Sequence, residues 1–281
     1  MRDFSRHGYI KLKNLGRNLC VILKGVWWIR MRDSYWLSFI SVLIMLPRII
    51  SEFLFRFTSL RMIWIFRIID IFDITLQTIS LLVLALYIFS KHVYTHKKEY
   101  VMAYMVLMSL LIGGHMMHFA ANTIDMHFRE VLNEDPRDVM PYTAYILLHF
   151  IDEYLSHIIM FTALIMIICM GSLAEIYNEQ KTLNLSDKII IVFSGIILGG
   201  GLGISAVEAS IPLYVLMLVV LSTIIILYKL RTQRKNVSDY PFTLYTVVLF
   251  AMLGLSIVIF IAAFGFTSPR EMIGSFIEEK L

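Results

Sequence analysis

Residues 142–170 read YTAYILLHFIDEYLSHIIMFTALIMIICM, without a glycine or a proline. The run is longer than the roughly 20 apolar residues a helix needs to cross a bilayer. The whole chain has the same character: 58% of its 281 residues are hydrophobic and 16% charged, with a mean hydropathy of +0.75. That composition defines a polytopic membrane protein and decides the fold class. Inside this run stand His149, Asp152, Glu153, Ser156 and His157, at three- and four-residue steps. On a regular helix such steps share a face.

A second polar stripe precedes it. Gly114-His115-Met116-Met117-His118-Phe119-Ala120-Ala121-Asn122 lies late in the apolar run 100–121, with His115, His118 and Asn122 on one face. Ionisable side chains at membrane depth are costly and usually functional.

Working outward, further spans are expected at about 68–90, 188–207, 211–228 and 240–266. Residues 35–57 are the least regular candidate, because Pro47, Arg48 and Glu52 interrupt them. Arg48, Glu52 and Arg56 read there as an ion ladder at the end of a span. Residues 1–33 carry Arg2, Arg6, Lys11, Lys13, Arg17, Lys24, Arg30 and Arg32, with Leu12, Leu15, Leu19 and Leu23 at helical spacing and Trp27 and Trp28 behind them. That is the pattern of a basic amphipathic helix on the membrane surface. No apolar signal-peptide core lies within these residues. The expected architecture is all-α integral membrane: an interfacial segment over 1–33, a bundle of about seven transmembrane helices over 34–267, and a short polar tail over 268–281.

Several function classes drop out. Cys20 and Cys169 are too far apart in sequence for a Cys-x-x-Cys metal ribbon. The net charge of +4 is concentrated near the N-terminus, where it sets orientation; nucleic-acid binding is not expected. Gly199-Gly200-Gly201-Leu202-Gly203 is not a phosphate loop, since no Lys-Ser/Thr follows, and instead allows close helix approach or local unwinding. His92 and His96, among Lys91, Lys97 and Lys98, read as solvated loop residues.

Positive-inside counting puts 1–33, 91–98 and 229–235 on the cytoplasmic side of the cell membrane, and the acidic connection 125–138 and the C-terminus outside. The segment holding Arg56, Arg61 and Arg67 violates the rule. With this topology the stripes of the third and fourth spans fall at similar depth in the outer leaflet. Asp70, Asp73 and Gln77 on the second span, Glu52 on the first and Glu208 at the end of the fifth fall there as well.

Imidazoles with carboxylates suit a transition metal, zinc or iron first, and the neighbouring Met116 and Met117 keep copper open. The expected ligands are His115, His118, His149, His157 and Glu153. Glu153 and Asp152 are the expected catalytic acids and bases, and Asn122, Asp70, Asp73 and Glu208 the outer partners or pathway residues. Such a centre fits a metal-dependent membrane enzyme, a hydrolase or an oxidoreductase, acting on a lipid or a small membrane-soluble substrate. A metal- or proton-coupled transporter could use the same residues as a transit site. Haem is disfavoured by the adjacent carboxylates and by the lack of a second histidine pair in the inner leaflet. A purely structural network is disfavoured on energy, because interhelical polar contacts in membranes contribute only about 0.6 kcal/mol on average.

His118-Phe119 on one span and Ile151-Asp152-Glu153 on the next resemble the alkaline ceramidases, seven-span zinc amidases that take histidine and aspartate from adjacent helices. The resemblance covers two helices. Those enzymes have a further histidine pair near the C-terminal end, whereas this chain has no histidine after His157, and Gly114 stands where they carry serine. His118, Asn122, His149 and Glu153 also resemble the two metal-binding spans of the ZIP zinc transporters, without their His-Glu-x-Pro-His-Glu motif.

Overall fold

A computed structural model describes residues 32–57, 73–126, 128, 136–177 and 183–265, the side chains of 47–57, 73–74, 126 and 136–137 excepted. The expected interfacial helix over 1–33, apart from its last two residues, and the position of Asp70 lie outside the described residues. Among those residues every regular element is helical.

Helix α1 spans Asp33–Phe57. Helix α2, Thr78–Ile88, carries a π turn at each end, Asp73–Gln77 and Phe89–Val93. Helix α3 is Lys98–Met126 and α4 the short Pro136–Val139. Then α5, Tyr142–Phe150, runs through a π turn at Ile151–Leu155 into α6, Ser156–Ile176. The last three are α7 Leu185–Glu208, α8 Pro212–Thr232 and α9 Pro241–Phe264.

Six of the described segments are long and apolar enough to cross a membrane: Thr75–Val93, Lys98–Asp125, Tyr142–Ile176, Leu185–Glu208, Pro212–Thr232 and Pro241–Phe264. They match six of the expected spans. The seventh, over 35–57, is helical as expected, but its apolar part, Asp33–Leu46, is too short to cross alone. The chain is therefore a multi-pass helical membrane protein with six such spans among the described residues.

Local chemistry sets the helix ends. Asn184 caps α7 by accepting a hydrogen bond from the Asp187 backbone N–H at 2.7 Å. Pro212 and Pro241 open α8 and α9, at the position where a missing N–H costs nothing. Gly265, at φ 71°, closes α9 in a conformation that a side chain would strain.

Lipid supplies no hydrophobic drive between helices, so close packing and polar contacts must hold the bundle together. Gly195, Gly199 and Gly203, each four residues on from the last, press α7 against the backbone of α9. A methyl group added to Gly199 would stand 2.3 Å from the Leu249 carbonyl oxygen, and one on Gly203 would stand 2.8 Å from that of Leu253. The helix is unbroken through 199–203, so the glycines serve close approach and not unwinding. Gly201, on another side of the same helix, receives Met45 of α1. Hydrogen bonds reinforce this packing: Ser172 Oγ donates to Thr246 Oγ1 at 2.7 Å, and Tyr104 donates to the Ala85 carbonyl at 2.7 Å.

Helix α6 is the central element, buried along Ala163–Leu164–Ile165 and again from Ile167 through Ser172. Helix α8 turns Leu213, Met217, Leu221, Ile224 and Tyr228 outward, as a lipid-facing helix does. The basic loops meet at one end of the bundle. There Lys235 Nζ donates to the Ile176 carbonyl, and Lys229 lies over the Tyr177 ring at 4.5 Å.

Candidate functional site

The stripes of α3 and of the α5–α6 span meet near the bundle end opposite those basic loops. His118 lies about 30 Å along α3 from its first residue, at 1.5 Å per residue. One turn before His118, Gly114 lets the two backbones touch. A methyl group on it would stand 3.0 Å from both the Met160 nitrogen and the Ser156 carbonyl oxygen. This close approach brings the imidazole of α3 to the polar residues of the facing helix.

The π turn Ile151–Leu155 then decides which of those residues face it. Ser156 N–H bonds to the Ile151 carbonyl, an i to i+5 link. In a regular α-helix Asp152 and His157, five residues apart, point about 140° away from each other. The wider π turn brings residues five apart back onto one side. Both therefore reach α3. His118 Nδ1 lies 2.7 Å from Asp152 Oδ1, too far off line for a good hydrogen bond, so the contact is electrostatic first. The His118 and His157 ring centroids are 4.5 Å apart, with the planes at 56°. His157 Nδ1 is 3.1 Å from the Glu153 carbonyl oxygen, and Ser156 Oγ donates to the Asp152 carbonyl at 2.6 Å.

His157 thus turns Nδ1 toward an oxygen that can only accept, which favours the proton on Nδ1 and leaves Nε2 with its lone pair, while His118 Nδ1 lies beside the Asp152 carboxylate without an aligned hydrogen bond. Asp152 is buried, with a side chain 12% exposed, whereas that of His118 is 33% exposed. The centre lies close to the flank of the bundle.

The other expected site residues are dispersed. His149 is exposed; its ring stacks on Tyr145 at 6.0 Å and meets the edge of Tyr154 at 6.4 Å. Helical spacing had joined it to Asp152 and His157, but it has no ring contact with His118 among the described residues. His115 is buried one turn before His118, and Asn122 is partly buried one turn after it. Glu153 contributes its backbone carbonyl to His157, and Glu208 sits partly buried at the end of α7. Asp73 falls in the π turn that precedes α2, and its side chain is outside the description. Among the described residues, no three His, Cys, Asp or Glu side chains are grouped closely enough to hold a metal ion.

Two residues outside the expected site carry polar chemistry at the basic end. His92, read as solvated, is 4% exposed and stacks on Phe242 with centroids 5.2 Å apart. Glu175, also 4% exposed, stands at the end of an apolar run, where an acid ordinarily reads as a solvated flank. Its one sequence signal is its place three residues after Ser172, on the same side of the helix.

No family model, no curated protein and no solved structure matches the chain.

Proposed function

We propose that His118, His157 and Asp152 form a two-imidazole ion centre, and that the chain is a membrane enzyme using it on a lipid or small membrane-soluble substrate. The observation that carries this reading is the contact of the two rings, 4.5 Å between centroids, beside a buried carboxylate. His157 turns Nδ1 to the Glu153 carbonyl at 3.1 Å, and the Asp152 carboxylate lies 2.7 Å from His118 Nδ1. An oxygen beside Nδ1 is how histidines that bind metal through Nε2 are usually held. Asp152 then orients an imidazole and does not itself ligate. Two nitrogen donors leave coordination positions open for water and substrate, and zinc or iron suits such a set, with copper a third candidate. A bound metal would supply a Lewis acid or an activated water. The partial exposure of His118 suits a substrate arriving from the bilayer.

Proton-coupled transport by the same imidazoles is the second reading. It is favoured by the lack, among the described residues, of a third grouped donor.

One experiment separates the two. Purified protein that has never met a chelator is assayed for zinc, iron and copper, and in proteoliposomes for proton flux under a pH gradient. The enzyme reading expects about one equivalent of metal. It also expects that metal to be lost in His118→Ala and His157→Ala and kept in His149→Ala. Background metal with proton flux abolished by His118→Ala overturns it in favour of transport. Background metal without flux overturns both readings.

A further inference from the structure

The opposite end of α6 carries a second polar centre, built on different residues. Glu175 Oε1 accepts from the Phe242 N–H at 3.1 Å, while Oε2 accepts from the Thr243 N–H at 2.7 Å and from Thr243 Oγ1 at 2.9 Å. Phe242 and Thr243 are in the first turn of α9, directly after Pro241. A carboxylate from one span therefore caps the N-terminus of another, where orphan N–H groups and the helix dipole both favour negative charge. Around this joint stand Asp33 of α1, Tyr87 and Lys91, Lys235 and His92. Tyr87 donates to Asp33 at 3.2 Å, Lys91 pairs with Asp33 at 3.3 Å, and His92 stacks on Phe242. Tyr245, one turn on in α9, donates to or accepts from Ser41 Oγ of α1 at 2.8 Å. Among the described residues four helices meet here: α1, α2 with its π turn, α6 and α9.

We infer that Glu175 is a proton-sensitive latch that fastens the end of α6 to the start of α9. The charged carboxylate can accept all three hydrogen bonds. Taking up a proton turns one oxygen into a donor that faces N–H groups, so the cap can no longer be made in full. Two opposing influences act on the group: burial disfavours its charge, and three donors at a helix start favour it. Deprotonated, the latch holds; protonated, α9 keeps its hydrogen bonds with Ser172 and its apolar contacts to α6 at this end but can move away from it, while its glycine contacts with α7 persist. The latch uses none of the residues of the His118 centre, so it stands or falls independently of the function proposed above.

The test reads the distance between the two helix ends directly. Spin labels are placed at Tyr177→Cys and Ser238→Cys in a chain carrying Cys20→Ser and Cys169→Ser, reconstituted in lipid nanodiscs, and distances are measured from roughly pH 5 to 9. Wild type is expected to shift reversibly from one short-distance population to a longer one as the pH falls. Glu175→Gln, permanently neutral, is expected to give the longer distance throughout. Thr243→Val removes one donor to the carboxylate and is expected to move the midpoint to higher pH. It carries the test alone if Glu175→Gln does not fold. A wild-type distance that ignores pH overturns the proposal. So does a Glu175→Gln protein that keeps the wild-type response, since the titrating group would then be His92 or Asp33, and so does an unmoved midpoint in Thr243→Val.

Discussion

Gly199→Ala and Gly200→Ala are neighbouring, chemically identical changes with opposite expected outcomes. A methyl group on Gly199 would lie 2.3 Å from the Leu249 carbonyl oxygen and 3.0 Å from Met252 Cβ, whereas ordinary contact begins at 3.4 Å. The deficit against Leu249 is about 1.1 Å (3.4 less 2.3), and the obstructing atom is backbone, which cannot rotate aside. Helices α7 and α9 must part by about that much along the ladder Gly195, Gly199 and Gly203. Overpacking of this kind costs about 1–3 kcal/mol. That is roughly a 5- to 150-fold fall in the ratio of folded to unfolded protein. Gly200 has nothing within 4 Å, so alanine there meets open space. It also gains helix propensity, worth up to about 1 kcal/mol in water. Unfolding by increasing SDS in mixed micelles, followed by loss of helical circular dichroism, compares the two directly. Gly199→Ala should unfold at lower SDS than wild type and Gly200→Ala at the same or higher. Equal midpoints, or the reverse order, would refute the packing argument.

The candidate site yields three more expectations. Deleting Ile151 should turn the π turn into ordinary α-helix and rotate Asp152 away from His157 by about 100°; metal content or proton flux, whichever wild type shows, should vanish while the protein stays folded by circular dichroism. Retention of that property would mean the π turn does not organise the centre. Asp152→Asn keeps the shape but removes the charge beside His118, and should weaken metal binding on the order of 10–100-fold by competition with a chelator; an unchanged affinity would remove Asp152 from the centre. Gly114→Leu should force α3 from α6 at Ser156 and Met160 and abolish the same property, whereas Gly113→Leu, where space is open, should not.

How much of this was legible in the sequence follows from what periodicity can detect. Span positions depend on the length of apolar runs, and six of them agree with the helices to within a few residues at most ends. The meeting of His118 with Asp152 and His157 was legible as a neighbourhood, because antiparallel spans joined by a short connection put late residues of one beside early residues of the next. The membership was not. Steps of three and four residues assume 3.6 residues per turn, and chained together they put His149, Asp152, Glu153, Ser156 and His157 in one stripe, although Asp152 and His157 taken directly diverge by about 140°. The inserted residue of the π turn reverses the second relation, and the structure leaves His149 exposed. His92 was misread for a related reason: lysines on both sides imply solvent, but it lies in the π turn Phe89–Val93, which turns it inward onto Phe242.

Three π turns with both ends among the described residues coincide with polar residues inside apolar runs: Asp73 and Gln77 in the first, Lys91 and His92 in the second, Asp152 and Glu153 in the third. In a bilayer the backbone must satisfy its own hydrogen bonds, so a turn that departs from the α pattern persists only when something offsets its poorer geometry. For the second and third turns the compensation is visible in the contacts made by His92 and Asp152. An α-helical repeat cannot bring polar residues five apart onto a shared face, and a π turn can. The pair that matters in such a span is therefore i and i+5, here Asp152 and His157, which three- and four-residue steps link only indirectly, through His149 and Glu153.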